Sequence, residues 1–115
     1  MELGPENEKI TNYANMLSAI GTEARLRIMR LLLSAHPEGL VVGDIQSALG
    51  IPGSTLSHHL EKLKYVGLVE IRRDRQFLWY SANSKTLGDL LSFLFAECCS
   101  RSHAIEPETI VSISK

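Results

Sequence analysis

Two adjacent cysteines, Cys98 and Cys99, are the residues of this sequence with the clearest capacity for chemistry. They are the only cysteines in 115 residues, so the disulfide framework of a small secreted protein cannot form. Thiolates are soft ligands that favour thiophilic centres such as trivalent arsenic or antimony. Consecutive helical residues point about 100° apart, so both sulfurs reach one large atom only if the helix bends or frays. The pair is therefore a candidate metalloid site, and the lack of a disulfide framework indicates a reducing compartment.

A set of polar residues falls on one face of a short predicted helix, at about residues 54–66. If Leu56, Leu60 and Leu63 face the core, helical geometry turns the other side of this helix outward. The candidate DNA contacts on or beside that side are Ser54, Thr55, Ser57, His58 and Lys62. Hydroxyl and imidazole groups can reach base edges in a major groove, whereas a lysine ammonium suits phosphates. His59 falls on the leucine side, which predicts a structural role.

A basic β-hairpin, the wing, is predicted at about residues 68–82. Its two strands are rich in Val, Ile, Phe, Trp and Tyr. Between them lies Arg72-Arg73-Asp74-Arg75-Gln76, in which Arg73 and Arg75 are the candidate contacts with a DNA backbone or minor groove. The formal net charge is -1, yet residues 54–85 hold six basic and three acidic side chains, against six and ten elsewhere. Phosphate binding needs only such a local excess of positive charge.

Apolar periodicity predicts the other elements. A first helix ends at Gly21, and a second follows Thr22, whose side chain is expected to act as the N-cap. A third, at residues 42–49, is separated from the helix at 54–66 by a short turn. The last helix, about residues 84–100, carries an apolar band wide enough to face another chain, and a tail follows at residues 101–115. The expected fold class is mainly α with a two-stranded β-hairpin, a winged helix-turn-helix in a single domain over residues 1–115.

The membrane is not an expected partner. No apolar run approaches the roughly 18 residues that a bilayer-spanning helix needs, and the chain does not start with a basic segment and an apolar core. We therefore expect a cytoplasmic protein.

The stretch Ser54-Thr55-Leu56-Ser57-His58-His59-Leu60-Glu61-Lys62-Leu63, followed by Gly67-Leu68-Val69, resembles the recognition helix and wing entry of the ArsR/SmtB transcriptional repressors. The resemblance starts at Thr22-Glu23-Ala24-Arg25-Leu26-Arg27-Ile28 and covers more than half of the chain. It implies a homodimer that binds double-stranded operator DNA and releases it on binding a metal, metalloid or other effector. It also implies that the first and last helices form the dimer.

The resemblance narrows the choice of effector. Members that sense arsenic near the DNA carry a Cys-x-Cys element where this sequence has Val41-Val42-Gly43-Asp44. Members that sense zinc place Asp and His ligands along the last helix, where this sequence offers only Asp89 and Glu97. Cys98 and Cys99 instead resemble the adjacent C-terminal cysteines of another arsenic-responsive branch.

The number of thiols bears on which arsenical fits. The third cysteine of that branch is not present, since Ser100, Ser102, Ala104 and Ile105 follow the pair. Inorganic trivalent arsenic ideally takes three thiolates, whereas a methylated arsenical has one position filled by carbon and needs two. The count favours methylarsenite. Arsenite or antimonite remain open if a thiol of the second subunit or a solvent ligand completes the site, and no other cofactor is required.

Three alternatives remain at this stage. The cysteines could sense oxidants or reactive sulfur through a disulfide between subunits. A disulfide within the pair is less favoured, because adjacent Cα atoms lie about 3.8 Å apart, below the usual range of roughly 4.4 to 6.8 Å. Buried cysteines can also serve only as small apolar side chains. A metal-dependent enzyme using His58, His59 and His103 is disfavoured, because adjacent histidines point apart on a helix; the chain is expected not to be an enzyme.

Overall fold

A computed structural model describes residues 5–102 of the chain, with Pro5 described by its backbone alone. The predicted tail from residue 103 onward, with His103, lies outside the described residues. The elements in chain order are α1 (Pro5–Ile20), α2 (Glu23–Ser34), β1 (Leu40–Val41), α3 (Val42–Leu49), α4 (Gly53–Tyr65), β2 (Val69–Asp74), β3 (Phe77–Ala82) and α5 (Ser84–Phe95). They belong to two compact units that meet at Ser84 and Lys85, and each is described by itself.

The core of the first unit is built from the apolar stripes of three helices and the base of the hairpin. Thr22 caps α2 as predicted, because its hydroxyl oxygen accepts the backbone N–H of Arg25 at 3.2 Å. An N-cap of this kind satisfies a backbone donor that the first helical turn leaves unpaired. The side chains that are at most 2% exposed in this unit are Ile28, Met29, Leu32, Ile45, Leu56, Leu60, Leu63, Leu68, Val69 and Ala82.

The predicted β-hairpin is confirmed, and the sheet has one more strand than predicted. β2 and β3 pair antiparallel from Val69 opposite Ala82 to Asp74 opposite Phe77. β1 adds to the other side of β3, with Leu40 opposite Tyr80 and Val41 opposite Trp79. The sheet order is therefore β1-β3-β2. Two residues are too few to show the alternation by which a strand is recognised in a sequence, so β1 was missed.

Gly39 allows the chain to enter β1 beside β3. It adopts a φ of +85°, in the left-handed region that side chains disfavour. A Cβ atom at this position would overlap the backbone carbonyl of Tyr80 and crowd the Cα of Ser81. The third strand therefore depends on a residue without a side chain at this point.

The second unit starts with α5, which is shorter than the predicted helix at residues 84–100. The helix ends at Phe95, and turns continue the chain to residue 102. Their backbone hydrogen bonds span three residues, from the N–H of Cys98 to the carbonyl of Phe95 at 2.8 Å and from Ser102 to Cys99 at 3.0 Å. Cys99 has a φ of +59°, a conformation that cannot continue a right-handed helix. The predicted extent of this helix was thus wrong at its C-terminal end.

Within residues 5–102, every helix is too short or too polar to cross a lipid bilayer.

Replacing Gly39 by Ala should lower the free energy of unfolding by at least about 2 kcal/mol, because left-handed strain and steric overlap add. Urea denaturation measures the change. Gly43→Ala is the matched control, since it lies in α3 and an added Cβ meets nothing within 4 Å; it should be neutral or stabilising by up to about 1 kcal/mol. Equal unfolding midpoints for Gly39→Ala and the wild type would contradict the close approach of Gly39 to β3.

Candidate DNA-binding surface and thiol site

The orientation of α4 follows from its three leucines. Leu56, Leu60 and Leu63 are at most 1% exposed, and their spacing of three and four residues keeps them on one side of the helix. All five polar residues predicted on the other side or its edge are exposed: Ser54, Thr55, Ser57, His58 and Lys62. The helix therefore presents short hydrogen-bonding groups followed by a cation along one open surface.

A short turn joins α3 to α4. Gly50 ends α3 in the left-handed conformation, with a φ of +66°, and its N–H donates to the carbonyl of Gln46 at 2.8 Å. Glycine commonly ends a helix in this conformation, because its N–H satisfies a carbonyl that the last helical turn leaves unpaired. α4 begins at Gly53 after Pro52, which offers no side-chain cap, so neither Ser54 nor Thr55 caps the helix. Both hydroxyls lie inside the first turn of α4.

The three arginines of the hairpin tip differ in their contacts. The Arg72 guanidinium lies over the Trp79 ring, 5.4 Å from its centroid, and 3.9 Å from the Asp74 carboxylate. Arg73 and Arg75 are exposed, and no carboxylate of the described residues lies within 4 Å of either. Arg75 occupies the turn itself, with a φ of +60°. Arg72 is thus held by the hairpin, and Arg73 and Arg75 remain available to an external phosphate.

One residue that the sequence analysis did not select, Arg25, joins three helices. Its Nε donates to His59 Nδ1 at 3.2 Å, and its Nη1 donates to the carbonyl of Ala19 at 2.9 Å. These bonds connect α2 to α4 and to the C-terminal end of α1. No sequence signal could have identified them, since periodicity assigns Arg25 only to the polar side of α2.

His59 is the acceptor in this arrangement and is neutral for a physical reason. Burial lowers its pKa, and the positive charges of Arg25, His58 and Lys62 lower it further. A neutral imidazole keeps Nδ1 as an acceptor, whereas the imidazolium would place a donor and a second positive charge against Arg25. This contact agrees with the structural role that the sequence predicts for His59.

His58 and Lys62 also line a cavity of about 460 Å³ between α4, α2 and the C-terminal half of α1. Asn15 and Ser18 form its α1 wall, and Arg25 forms its α2 wall. Two of the predicted DNA contacts therefore face a recess, while Ser54, Thr55 and Ser57 lie outside it.

The thiol pair lies in the turns after α5. The Sγ atoms of Cys98 and Cys99 are 3.2 Å apart, and both side chains are half-buried. The hydrogen bond with Cys99 raises the pKa of the Cys98 thiol, and burial raises it further. An open cavity of about 400 Å³ lies beside Cys99, with Glu97 and Arg101 on its walls. Among residues 5–102, no group of three His, Cys, Asp or Glu side chains is placed to hold a metal ion.

The two adjacent thiols lie close together because they do not lie on a regular helix. On a regular helix their side chains diverge. Here the helix has already ended, and the left-handed conformation of Cys99 turns its sulfur toward that of Cys98. Two sulfurs of one chain are thereby brought within reach of a single large atom.

Comparison with known proteins shows what this chain is similar to. A helix-turn-helix domain family matches residues 20–72. The nodulation protein NolR of Rhizobium meliloti is 34% identical over 110 residues, which cover 95% of this chain and 88% of that protein. The transcriptional repressor SdpR of Bacillus subtilis is 31% identical over 80 residues, which cover 70% of this chain and 86% of that protein.

A solved structure extends the likeness to three dimensions. It is the homodimeric winged helix-turn-helix DNA-binding domain of a possible ArsR-family transcriptional regulator from Mycobacterium bovis. The two structures superpose with a TM-score of 0.65 at 27% identity, over 91% of this chain and 93% of that domain. The winged helix-turn-helix fold predicted from the sequence is thereby confirmed.

The lowered pKa of His59 predicts that acid destabilises the fold. An unfolded histidine binds a proton below about pH 6.5, whereas folded His59 does not until the pH falls further, so stability decreases as the pH falls through this window. In urea denaturation between about pH 7.5 and about pH 5.5, His59→Gln should lose less stability than the wild type. Its amide oxygen can still accept the Arg25 bond and does not titrate.

His58→Gln is the control, because His58 is exposed and accepts no hydrogen bond from Arg25. It should keep most of the pH dependence. An equal loss of stability on acidification in His59→Gln and the wild type would show that His59 is not the titrating group.

Proposed function

Because this chain belongs to the ArsR/SmtB family of winged-helix transcription regulators, we propose that it is a homodimeric repressor that leaves its operator when Cys98 and Cys99 bind a trivalent arsenical. The family assignment makes it a DNA-binding regulator and not an enzyme. The arsenical is proposed on one observation above all, the separation of 3.2 Å between the two sulfurs.

The operator contacts are proposed on the exposed side of α4 and at the hairpin tip. Ser54, Thr55, Ser57 and His58 offer donors and acceptors that can read base edges in a major groove. Lys62, Arg73 and Arg75 offer positive charge that phosphates can neutralise without reading the sequence. The exposure of all seven side chains supports this assignment.

The homodimer is proposed through α1 and α5. Each helix exposes large apolar side chains to a degree that a monomer rarely tolerates in clusters. Ile10 and Leu17 on α1, and Leu91 and Leu94 on α5, are between 44% and 54% exposed. The Mycobacterium bovis relative is itself homodimeric. In such a dimer the two copies of α4 would meet successive major grooves, roughly 34 Å apart.

The geometry of the thiol pair suits a pyramidal trivalent centre. With metal–sulfur bonds of about 2.3 Å, as for a zinc thiolate, sulfurs 3.2 Å apart subtend about 90° at the bound atom. A tetrahedral zinc ion prefers about 109° and four ligands. Trivalent arsenic takes three ligands with its lone pair on the fourth side, so a smaller angle is appropriate. The open cavity beside Cys99 supplies room for the third substituent.

Methylarsenite is the favoured effector because its chemistry balances at two thiols. Its hydrated form carries one methyl group and two hydroxyl groups on arsenic. Two arsenic–sulfur bonds form and two arsenic–oxygen bonds break, and each thiol proton leaves with a hydroxyl group as water. Arsenite or antimonite would form the same two bonds to sulfur and retain one hydroxyl ligand, so the third position, which prefers a thiolate, would hold a harder oxygen ligand.

The raised pKa of Cys98 favours this chemistry over oxidant sensing. A thiol with a raised pKa has a smaller thiolate fraction at neutral pH, and the thiolate is the form that attacks oxidants. Condensation with a hydroxylated arsenical consumes neutral thiols and releases water, so it does not need a preformed thiolate. Closing a ring over Cys98 and Cys99 would reshape the turns after α5, and through a dimer interface on α5 it would change the spacing of the two α4 helices.

Release of an operator duplex by methylarsenite should be lost in Cys98→Ser and in Cys99→Ser, because one sulfur cannot chelate. Each variant should need at least about ten times more methylarsenite than the wild type for half-release, since loss of one chelating contact costs about 1.4 kcal/mol or more. Fluorescence anisotropy of a labelled duplex measures release. Ser100→Ala is the control and should respond as the wild type.

Ser102→Cys adds a third thiol next to the pair, since the Ser102 N–H already bonds to the Cys99 carbonyl. This variant should respond more strongly to arsenite without gaining sensitivity to methylarsenite. Unchanged release in both serine variants of the pair would contradict the thiol mechanism.

Methylarsenite binding should not change with pH between about 6 and about 8. The raised pKa of Cys98 means that its thiol is protonated before binding, and that proton leaves in water, so Cys98 releases no net proton. Cadmium, which must displace protons from the same thiols, should bind more tightly as the pH rises. Ultrafiltration followed by elemental analysis measures both. Methylarsenite affinity that rises tenfold per pH unit would indicate thiolate capture instead.

A further inference from the structure

The cavity between α1, α2 and α4 holds two cations that no carboxylate neutralises. Arg25 and Lys62 both line it. Among residues 5–102, no carboxylate oxygen lies within 4 Å of a charged nitrogen of either side chain, the distance expected for an ion pair. Within the described residues, Arg25 donates its hydrogen bonds to two neutral acceptors, the Ala19 carbonyl and the His59 imidazole. A half-buried guanidinium without a counter-charge retains donors for an anion from outside the chain.

Two hydrogen bonds fix the position of the Arg25 side chain. Its Nε and one Nη1 proton are used by α4 and α1, which hold the guanidinium plane in place. Among residues 5–102, no group accepts the second Nη1 proton or the two Nη2 protons, so these remain as donors. Guanidinium groups held in this way recognise carboxylates and phosphates with little loss of side-chain freedom. Asn15 and Ser18 place further polar groups on the opposite wall.

The charge balance of the cavity is positive in spite of Glu61. Glu61 also lines the cavity, yet its carboxylate lies more than 4 Å from the charged nitrogens of Arg25 and Lys62. Its negative charge raises the pKa of Tyr80, which burial raises more strongly. These positive charges act on His59. Burial lowers the pKa of His59 most, and the charges of Arg25, His58 and Lys62 lower it further. An anion entering the cavity would meet this field.

We propose that the α1–α2–α4 cavity is a binding site for a phosphate-like oxyanion, with Arg25 and Lys62 as its cationic ligands and Asn15 and Ser18 as polar partners. The oxyanion has two sources, a backbone phosphate of the operator or a free small anion. The first source rests on the proposed DNA-binding function, and the second does not. A free anion held beside His58 and Lys62 would occupy side chains that α4 offers to DNA, and would therefore compete with the operator.

Two isosteric substitutions on α1 test the site without altering its shape. Asn15→Asp places a carboxylate in the cavity wall and should neutralise it. Asn12→Asp makes the same change one turn earlier on α1, outside the cavity lining, and serves as the matched control. Both positions are exposed, so both variants should fold. On α4, Lys62→Ala removes a lining cation and Lys64→Ala removes one outside the lining.

The free-anion arm uses inorganic pyrophosphate at constant ionic strength, with the ring resonances of His58 and His59 followed by NMR in the absence of DNA. A saturable shift in the wild type, in Asn12→Asp and in Lys64→Ala is expected if a small anion is the ligand. Binding should weaken by at least about tenfold in Asn15→Asp and Lys62→Ala, because charge-assisted hydrogen bonds are lost or opposed.

The DNA arm measures operator affinity as a function of salt concentration. If a backbone phosphate enters the cavity, Asn15→Asp should reduce the slope of log affinity against log salt by about 0.9, and the loss of affinity between 50 and 200 mM salt should be smaller by a factor of about 3.5. Asn12→Asp should keep the slope of the wild type. This result without a saturable pyrophosphate shift assigns the site to DNA.

The proposal is overturned if pyrophosphate gives no saturable shift and the two Asp variants have the same salt slope. That outcome leaves the proposed repressor intact wherever the wild type binds its operator and methylarsenite releases it. Failure of the wild type to bind DNA would instead contradict the proposed function, and the pyrophosphate arm would still decide on the cavity.

Discussion

The burial of three leucines on α4 is the constraint on which the candidate DNA-binding surface depends. Leu56, Leu60 and Leu63 are almost completely buried, and each such side chain contributes roughly 1.5 to 3 kcal/mol when it leaves water. Rotation of α4 about its axis would expose them, so the polar side of the helix cannot turn inward. The Arg25 bonds to His59 and to the Ala19 carbonyl then fix the helix against α2 and α1. Apolar burial thus sets which side chains face outward, and two polar contacts hold the helix in place.

Features that repeat along the chain could be predicted from the sequence, and features that depend on contacts between distant residues could not. The leucine period of α4, the Gly50 turn and the aromatic-rich hairpin are local patterns, and the structure has all three. The strand β1 depends on Gly39 fitting beside Tyr80, a contact between segments about forty residues apart that no periodicity encodes. The Arg25–His59 bond is equally non-local. The end of α5 was misjudged for a different reason, since the apolar pattern continues past Phe95 although the backbone turns away at Cys99.

The net charge of the chain is close to zero, yet the positive charge and the thiol pair lie in different parts of the chain. Positive charge is concentrated on α4, in the cavity behind it and at the hairpin tip, where Arg73 and Arg75 have no carboxylate partner within the described residues. The thiol pair belongs to the second unit, after α5. A regulator needs such a division, because an effector that shared ligands with DNA would only compete with it, whereas an effector at a separate site can change the geometry of the dimer. The proposed oxyanion site on α4 would act by competition, and the thiol site by geometry.

The protonation state of the thiols would decide which effectors the proposed thiol site can distinguish. A cation gains its affinity from thiolates, so a hydrogen bond that keeps a proton on Cys98 opposes it. An oxidant also reacts with the thiolate and is slowed for the same reason. A hydroxylated metalloid carries its own proton acceptor in the departing hydroxyl group, so it would not need a preformed thiolate at Cys98. A Cys98 thiol that keeps its proton, with its sulfur 3.2 Å from that of Cys99, would therefore disfavour cations and oxidants at the proposed site by proton balance, and the narrow bond angle would favour a trivalent centre.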